Sequence, residues 1–189
     1  MKKIALLTSM LMLALTAAQS QVKFQSGDIE FSTGIGIFST YAKDKAQMIV
    51  PPLSARIDVR LGNKFTLGAY AAYSAYERLQ MDLPDGSIQD LSSKTTIIGL
   101  RAAAHHSPRE NWDVYGGAML GYNMPEVERT VTEEKILDEA GPSFSRPAEN
   151  TFTYSAFLGA AYYPTETIGL FAEVGYGISI LTTGISFKF

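Results

Sequence analysis

From residue 28 onward, apolar and polar side chains alternate with a period of two, and Gly, Pro, Asn and Asp clusters interrupt the alternation at intervals. That period belongs to extended strands with two unlike faces. The pattern predicts eight strands, at 28–41, 53–61, 64–77, 93–105, 112–123, 151–163, 167–177 and 180–189. The second shows it most plainly: Leu53, Ala55, Ile57, Val59 and Leu61 alternate with Ser54, Arg56, Asp58 and Arg60. In the other segments the same phase gathers Ile35, Ile37, Leu67, Ala69, Ala71, Ile98, Leu100, Ala118, Leu120, Ala156, Leu158, Leu170, Ala172, Val174 and Ile185 on one face. Glycines such as Gly34, Gly68, Gly99, Gly117, Gly159 and Gly184 fall on the opposite face, among Ser, Thr and a few charges.

Which face meets the surroundings follows from the aromatic residues. On the apolar face they collect at segment ends, with Phe65, Trp112, Tyr162, Phe187 and Phe189 toward one end and Tyr41, Tyr73, Tyr122, Tyr154 and Tyr176 toward the other. Two aromatic girdles around an aliphatic band are what a bilayer selects, because amphipathic rings favour headgroup level. Lipid also demands that every backbone N–H and C=O be satisfied internally, so strands must close into a barrel. An arginine turned to the bilayer midplane costs about 2–4 kcal/mol, so Arg56 and Arg60 face inward. The fold class expected is all-β, an eight-stranded antiparallel up-and-down transmembrane β-barrel. Connections at the Phe65 end are short, around 62–64, 106–111 and 164–166, while those at the Tyr73 end are long, about 42–52, 78–92 and 124–150.

The first twenty residues carry Lys2-Lys3, an apolar run from Ile4 to Leu15 and a small-residue ending at Ala18-Gln19-Ser20. They read as a cleaved signal peptide, leaving 21–189 as one barrel domain. Lys2 and Lys3 fall in that leader, so 14 of the 16 basic side chains remain against all 19 acidic ones. An acidic mature chain does not suit nucleic acid. The absence of cysteine excludes disulfides, thiolate metal sites and a cysteine nucleophile. No cofactor and no metal site is expected.

The closing segments read Leu170-Phe171-Ala172-Glu173-Val174-Gly175-Tyr176-Gly177 and Gly184-Ile185-Ser186-Phe187-Lys188-Phe189. Together with Tyr115-Gly116-Gly117-Ala118-Met119-Leu120-Gly121-Tyr122, they resemble the outer-membrane β-barrel domain family of Gram-negative bacteria, in its small form similar to OmpA and OmpX barrels. The resemblance implies an outer-membrane address, with long loops extracellular and both termini periplasmic. It further implies partners in outer-membrane lipid and lipopolysaccharide, and in the barrel-assembly machinery, which would read Ile185, Phe187 and Phe189 as the assembly signal. No cell-wall-binding domain is expected after Phe189.

An eight-stranded barrel has an interior that its own side chains fill. The charges assigned to it are Glu30, Arg56, Asp58, Arg60, Arg101, Asp113, Glu173 and Lys188, four of each sign. Unpaired charges are expensive in a low-dielectric lumen, so these are expected to pair, Glu30 with Lys188 and Glu173 with Arg101. Such a lumen is a plug; the alternative is a gate in a narrow channel for ions or small solutes. One constellation carries possible chemistry, His105-His106-Ser107, similar to the His-x-Ser arrangement of lipid A deacylases. It falls in a short turn at the periplasmic end, away from the outer leaflet, which favours turn chemistry over a hydrolase. The acidic segment 124–150 is the candidate surface for a partner, with Val127 to Val131 alternating as a hairpin would. The function expected is therefore non-enzymatic: envelope integrity or surface interaction through the loops.

Overall fold

The computed structural model describes residues 24–40, 46–82, 88–109, 111–133 and 149–189. The leader at 1–20, Tyr41 and most of the 124–150 connection lie outside the described residues. Eight strands run in chain order: β1 (Ile29–Gly36), β2 (Gln47–Arg60), β3 (Phe65–Asp82), β4 (Ile88–Arg109), β5 (Trp112–Glu133), β6 (Thr151–Tyr162), β7 (Ile168–Gly175) and β8 (Leu181–Lys188). Each pairs antiparallel with the next, and β8 returns to β1, so the sheet closes on itself. Closure through Glu30↔Lys188 to Gly36↔Thr182 pairs the first strand with the last, so no strand of the barrel is an edge strand along its whole length.

The alternation is resolved in the predicted sense. Arg56 is 6% exposed while its neighbour Ile57 is 46% exposed, and Leu100 reaches 64% beside a buried Arg101. The core thus lies inside the barrel, and the aliphatic face looks out.

Strand ends depart from the sequence reading in both directions: β1 stops at Gly36 and β7 at Gly175, short of the expected 41 and 177, while β2 starts at Gln47, inside the connection expected over 42–52. β3, β4 and β5 run far past the expected ends, with β4 and β5 at 22 residues each, and their ladder continues to Ile88↔Glu133. The connection expected over 124–150 therefore begins as strand as far as Glu133, and that expected over 78–92 is strand except at 83–87, which lie outside the described residues. The basal turn is also tighter than the span 106–111, because Arg109 still pairs with Trp112. A membrane strand needs only about 9–11 residues, and polar residues above that length made these stretches read as loops. Cross-strand pairing overrides that polarity: the alternation of Glu126, Glu128 and Thr130 gives each strand a partner of matching pleat. β2 bends where Pro51 and Pro52 interrupt it, and its register with β3 shifts between Met48 and Leu53. Proline has no N–H for the ladder, so pairing must slip there.

Candidate functional site

Inward side chains from β1, β2, β4, β5, β6 and β7 meet in one charged network centred on Arg56. Its Nη1 donates to Glu173 Oε2 at 2.6 Å and to the Tyr115 hydroxyl at 3.0 Å. Glu30 lies 3.7 Å and Asp58 3.4 Å from the same guanidinium. Arg101 completes the layer, donating to Glu173 at 2.8 Å and standing 3.6 Å from Asp58. Glu173 is thus clamped between two arginines, one from β2 and one from β4. Desolvating these ions is costly, and multiple opposite partners at short range are what offset it.

The arginines also lie on rings. Arg56 stacks on Phe171 at 4.3 Å and Tyr115 at 5.2 Å, Arg101 on Phe157 at 3.9 Å and Arg60 on Phe24 at 3.7 Å. Desolvated cation–π contacts contribute about 2 kcal/mol each. Besides the small and polar residues that the alternation places inside, such as Ser32, Thr66 and Ser186, the interior holds aromatic rings interleaved with its arginines. The available signal was parity, since Phe171, Phe157 and Tyr115 each share phase with an inward neighbour, Glu173, Gly159 and Asp113 respectively.

Glycines make the room. A methyl group at Gly159 would lie 2.4 Å from the Tyr115 ring, and one at Gly34 or Gly184 would press on Phe171. At Gly68 it would overlap the Asp58 carboxylate, which reaches across β3 to Arg101 through that vacancy.

A second cluster lies nearer the short turns. Asp113 Oδ2 accepts from Arg60 at 2.5 Å and from His105 Nδ1 at 2.8 Å, and Thr66 Oγ1 is 2.9 Å from His105 Nε2. Arg60 Nη2 also lies 3.2 Å from that same Nδ1, so imidazole and guanidinium crowd one carboxylate oxygen. The hydroxyl–imidazole–carboxylate order resembles a nucleophile relay, yet Asp113 is already bonded to Arg60, and Thr66 and Asp113 are buried. The serine of the His-x-Ser pattern is not placed on the imidazole. Ser107 Oγ instead donates to Asp113 at 3.5 Å, and His106 is exposed on the other face.

At the barrel seam, Glu30 and Lys188 are register partners as their positions suggested. Lys188 reaches Asp28 at 3.3 Å, while Glu30 lies against Arg56 and accepts from the Tyr163 hydroxyl at 2.7 Å. A tight turn with Gly27 at φ +96° and a Gln25 N–H donating to Asp28 folds Phe24 back under the mouth, edge-on to Tyr163 at 5.3 Å. Asp28, Tyr163 and Phe24 were missed because each lies where alternation breaks down.

Outside, Phe65, Trp112 and Phe189 are exposed toward the short turns, with Tyr162 packed on Trp112 and Phe187 half-buried. Toward the other end stand Tyr73, Tyr154 and Tyr176, with Tyr122 against Phe152 at 5.2 Å. Ile185 is exposed on the outer wall two residues above Phe187, paired with Leu170 and Thr33.

A closed antiparallel eight-stranded barrel with an apolar exterior and an ion-paired, ring-filled interior defines the class: this is the fold of small transmembrane β-barrels. Its backbone is similar to the crystal structure of the outer membrane protein OprG from Pseudomonas aeruginosa, at 12% identity and TM-score 0.56, over 90% of this chain and 99% of that one. It is also similar to a de novo designed transmembrane β-barrel, at 12% identity and TM-score 0.51, over 88% of this chain and 98% of that one. No protein-family model matches the chain, and no curated protein matches it by sequence.

Proposed function

We propose that this chain is a non-enzymatic outer-membrane barrel of a Gram-negative envelope. In this reading its lumen is sealed, its termini are periplasmic, and the β3–β5 extension stands outside the cell as a surface for partners. The observation that supports the reading is the lumen itself: Arg56 and Arg101 hold Glu173 between them and are backed by Phe171 and Phe157, an arrangement suited to a plug at that level. A plug of this kind serves the wall and not a flux, so function moves to the part that leaves the membrane. There β5 continues ten residues beyond Asn123, the last of its residues paired with β6 (at Thr151), and presents backbone groups suited to strand addition. The acidic connection after it is part of that surface, and its membrane partners are lipid and lipopolysaccharide.

The chain has no native cysteine, so single-cysteine labelling tests the orientation cleanly. Glu128→Cys is expected to react with a membrane-impermeant maleimide on intact cells, and Lys64→Cys only after the outer membrane is breached. The opposite pattern inverts the topology. In planar bilayers the purified barrel is expected to add no steady conductance; ohmic steps abolished by filling the lumen would restore the channel reading. Lipid A mass spectra that change with expression of the protein would restore the hydrolase.

A further inference from the structure

The β6–β7 ladder stops below the top of β6. Its last register pair is Phe157↔Gly175, with one further bond from the Tyr176 N–H to the Ala156 carbonyl at 3.4 Å. β6 continues to Thr151, paired with β5 on its other side. Among the described residues no strand pairs with 151–155 on the β7 side. Peptide groups alternate in direction along a strand, so with the Ala156 carbonyl aimed at β7, those of Tyr154 and Phe152 point into the same open notch. The side chains of these two residues are among the most exposed aromatics of the molecule, at 84% and 77%.

Beside the notch lies a cavity of about 20 Å³, reaching from the Arg101–Glu173 pair to the turn between β7 and β8. That is room for one water or one hydroxymethyl group. Its walls include Ser155, Tyr176, Ser179 and Thr182. The cation and anion at its floor are already paired at 2.8 Å. Among the described residues the place therefore offers two ring faces, a peptide edge without a strand partner and the hydroxyls of Ser155, Tyr176 and Thr182, that of Ser179 being engaged by the Phe38 and Leu181 carbonyls, and its charges are paired.

We propose that this notch binds the neutral sugar ring of an outer-leaflet glycolipid, a site that rests on the outer-membrane reading above. Phe152 and Tyr154 would cover the C–H face of the ring, the β6 edge would meet its hydroxyls, and one hydroxymethyl group would enter the cavity. A phosphate is a poor fit, since it calls for unpaired cationic donors, and Arg101 is held by Glu173. The level of the notch argues for a lipid source: it lies within the outer tyrosine girdle of Tyr122, Tyr154 and Tyr176, where headgroups are the molecules at hand.

The test is native mass spectrometry of the folded barrel in detergent, offered rough lipopolysaccharide or phosphatidylethanolamine. The wild-type chain is expected to retain the glycolipid preferentially. Phe152→Ala/Tyr154→Ala should lower retention about tenfold or more, whereas Phe65→Ala/Trp112→Ala at the opposite rim should leave it unchanged. Ser155→Phe, which fills the cavity and spares both rings, should also lower it. The site is overturned by equal retention in all variants, by equal uptake of the phospholipid, or by free core oligosaccharide binding as tightly as the whole glycolipid. Mobility in SDS before and after boiling keeps the two readings apart. A chain without a heat-dependent shift refutes the barrel, while a shifted chain without glycolipid preference refutes only this site.

Discussion

The extension continues three strands of the eight-stranded closed wall, β3, β4 and β5, and the two regions obey different energetics. Within the wall each strand is paired on both sides, and its inward residues are packed against rings and ions, as Arg101 and Tyr115 are. In the extension the successive side chains Glu126, Val127 and Glu128, which point to opposite faces of β5, are all exposed. Its one described ion pair, Lys94 with Glu128 at 3.2 Å, is exposed. Local pattern is common to both regions, and enclosure is what turns a charged residue from a surface decoration into a structural hub.

The largest expected break in that comparison is Arg56→Ala. It leaves Glu173, Glu30 and Asp58 short of their shared partner and should cost about 3–5 kcal/mol, read as a lower urea midpoint for the barrel in detergent. Next is Gly159→Val, which drives a branched side chain into the Tyr115 ring; about 1–3 kcal/mol of destabilisation is expected on the same scale. At the small end, Lys94→Ala removes the exposed pair and should leave the unfolding midpoint unmoved. A shift as large as that of Arg56→Ala would mean that the extension and the wall unfold as one charge network.

The Glu173 arrangement shows how far the sequence could be read. Parity placed Glu173 and Arg101 in the lumen, and their contact at 2.8 Å follows from that placement. That Arg56 lies closer still, at 2.6 Å, depends on how the strands tilt around the barrel, which no single strand encodes. Lys188 illustrates the same limit at the seam. Its register partner is Glu30, but the turn at Gln25–Asp28 brings a second carboxylate under it at 3.3 Å.

By itself the sequence determined the succession of strands and which of the alternating side chains face in and which face out, because a period of two in a chain bounded by turns leaves one low-energy pleat; that the barrel closes at eight strands and not ten was decided by the pairing of β8 with β1. Tertiary structure alone decided where strands end and which inward groups touch. Both depend on neighbours distant in sequence: a polar stretch such as 124–133 becomes strand only when β4 offers it a ladder, and a guanidinium chooses its carboxylate only after the barrel has closed around it.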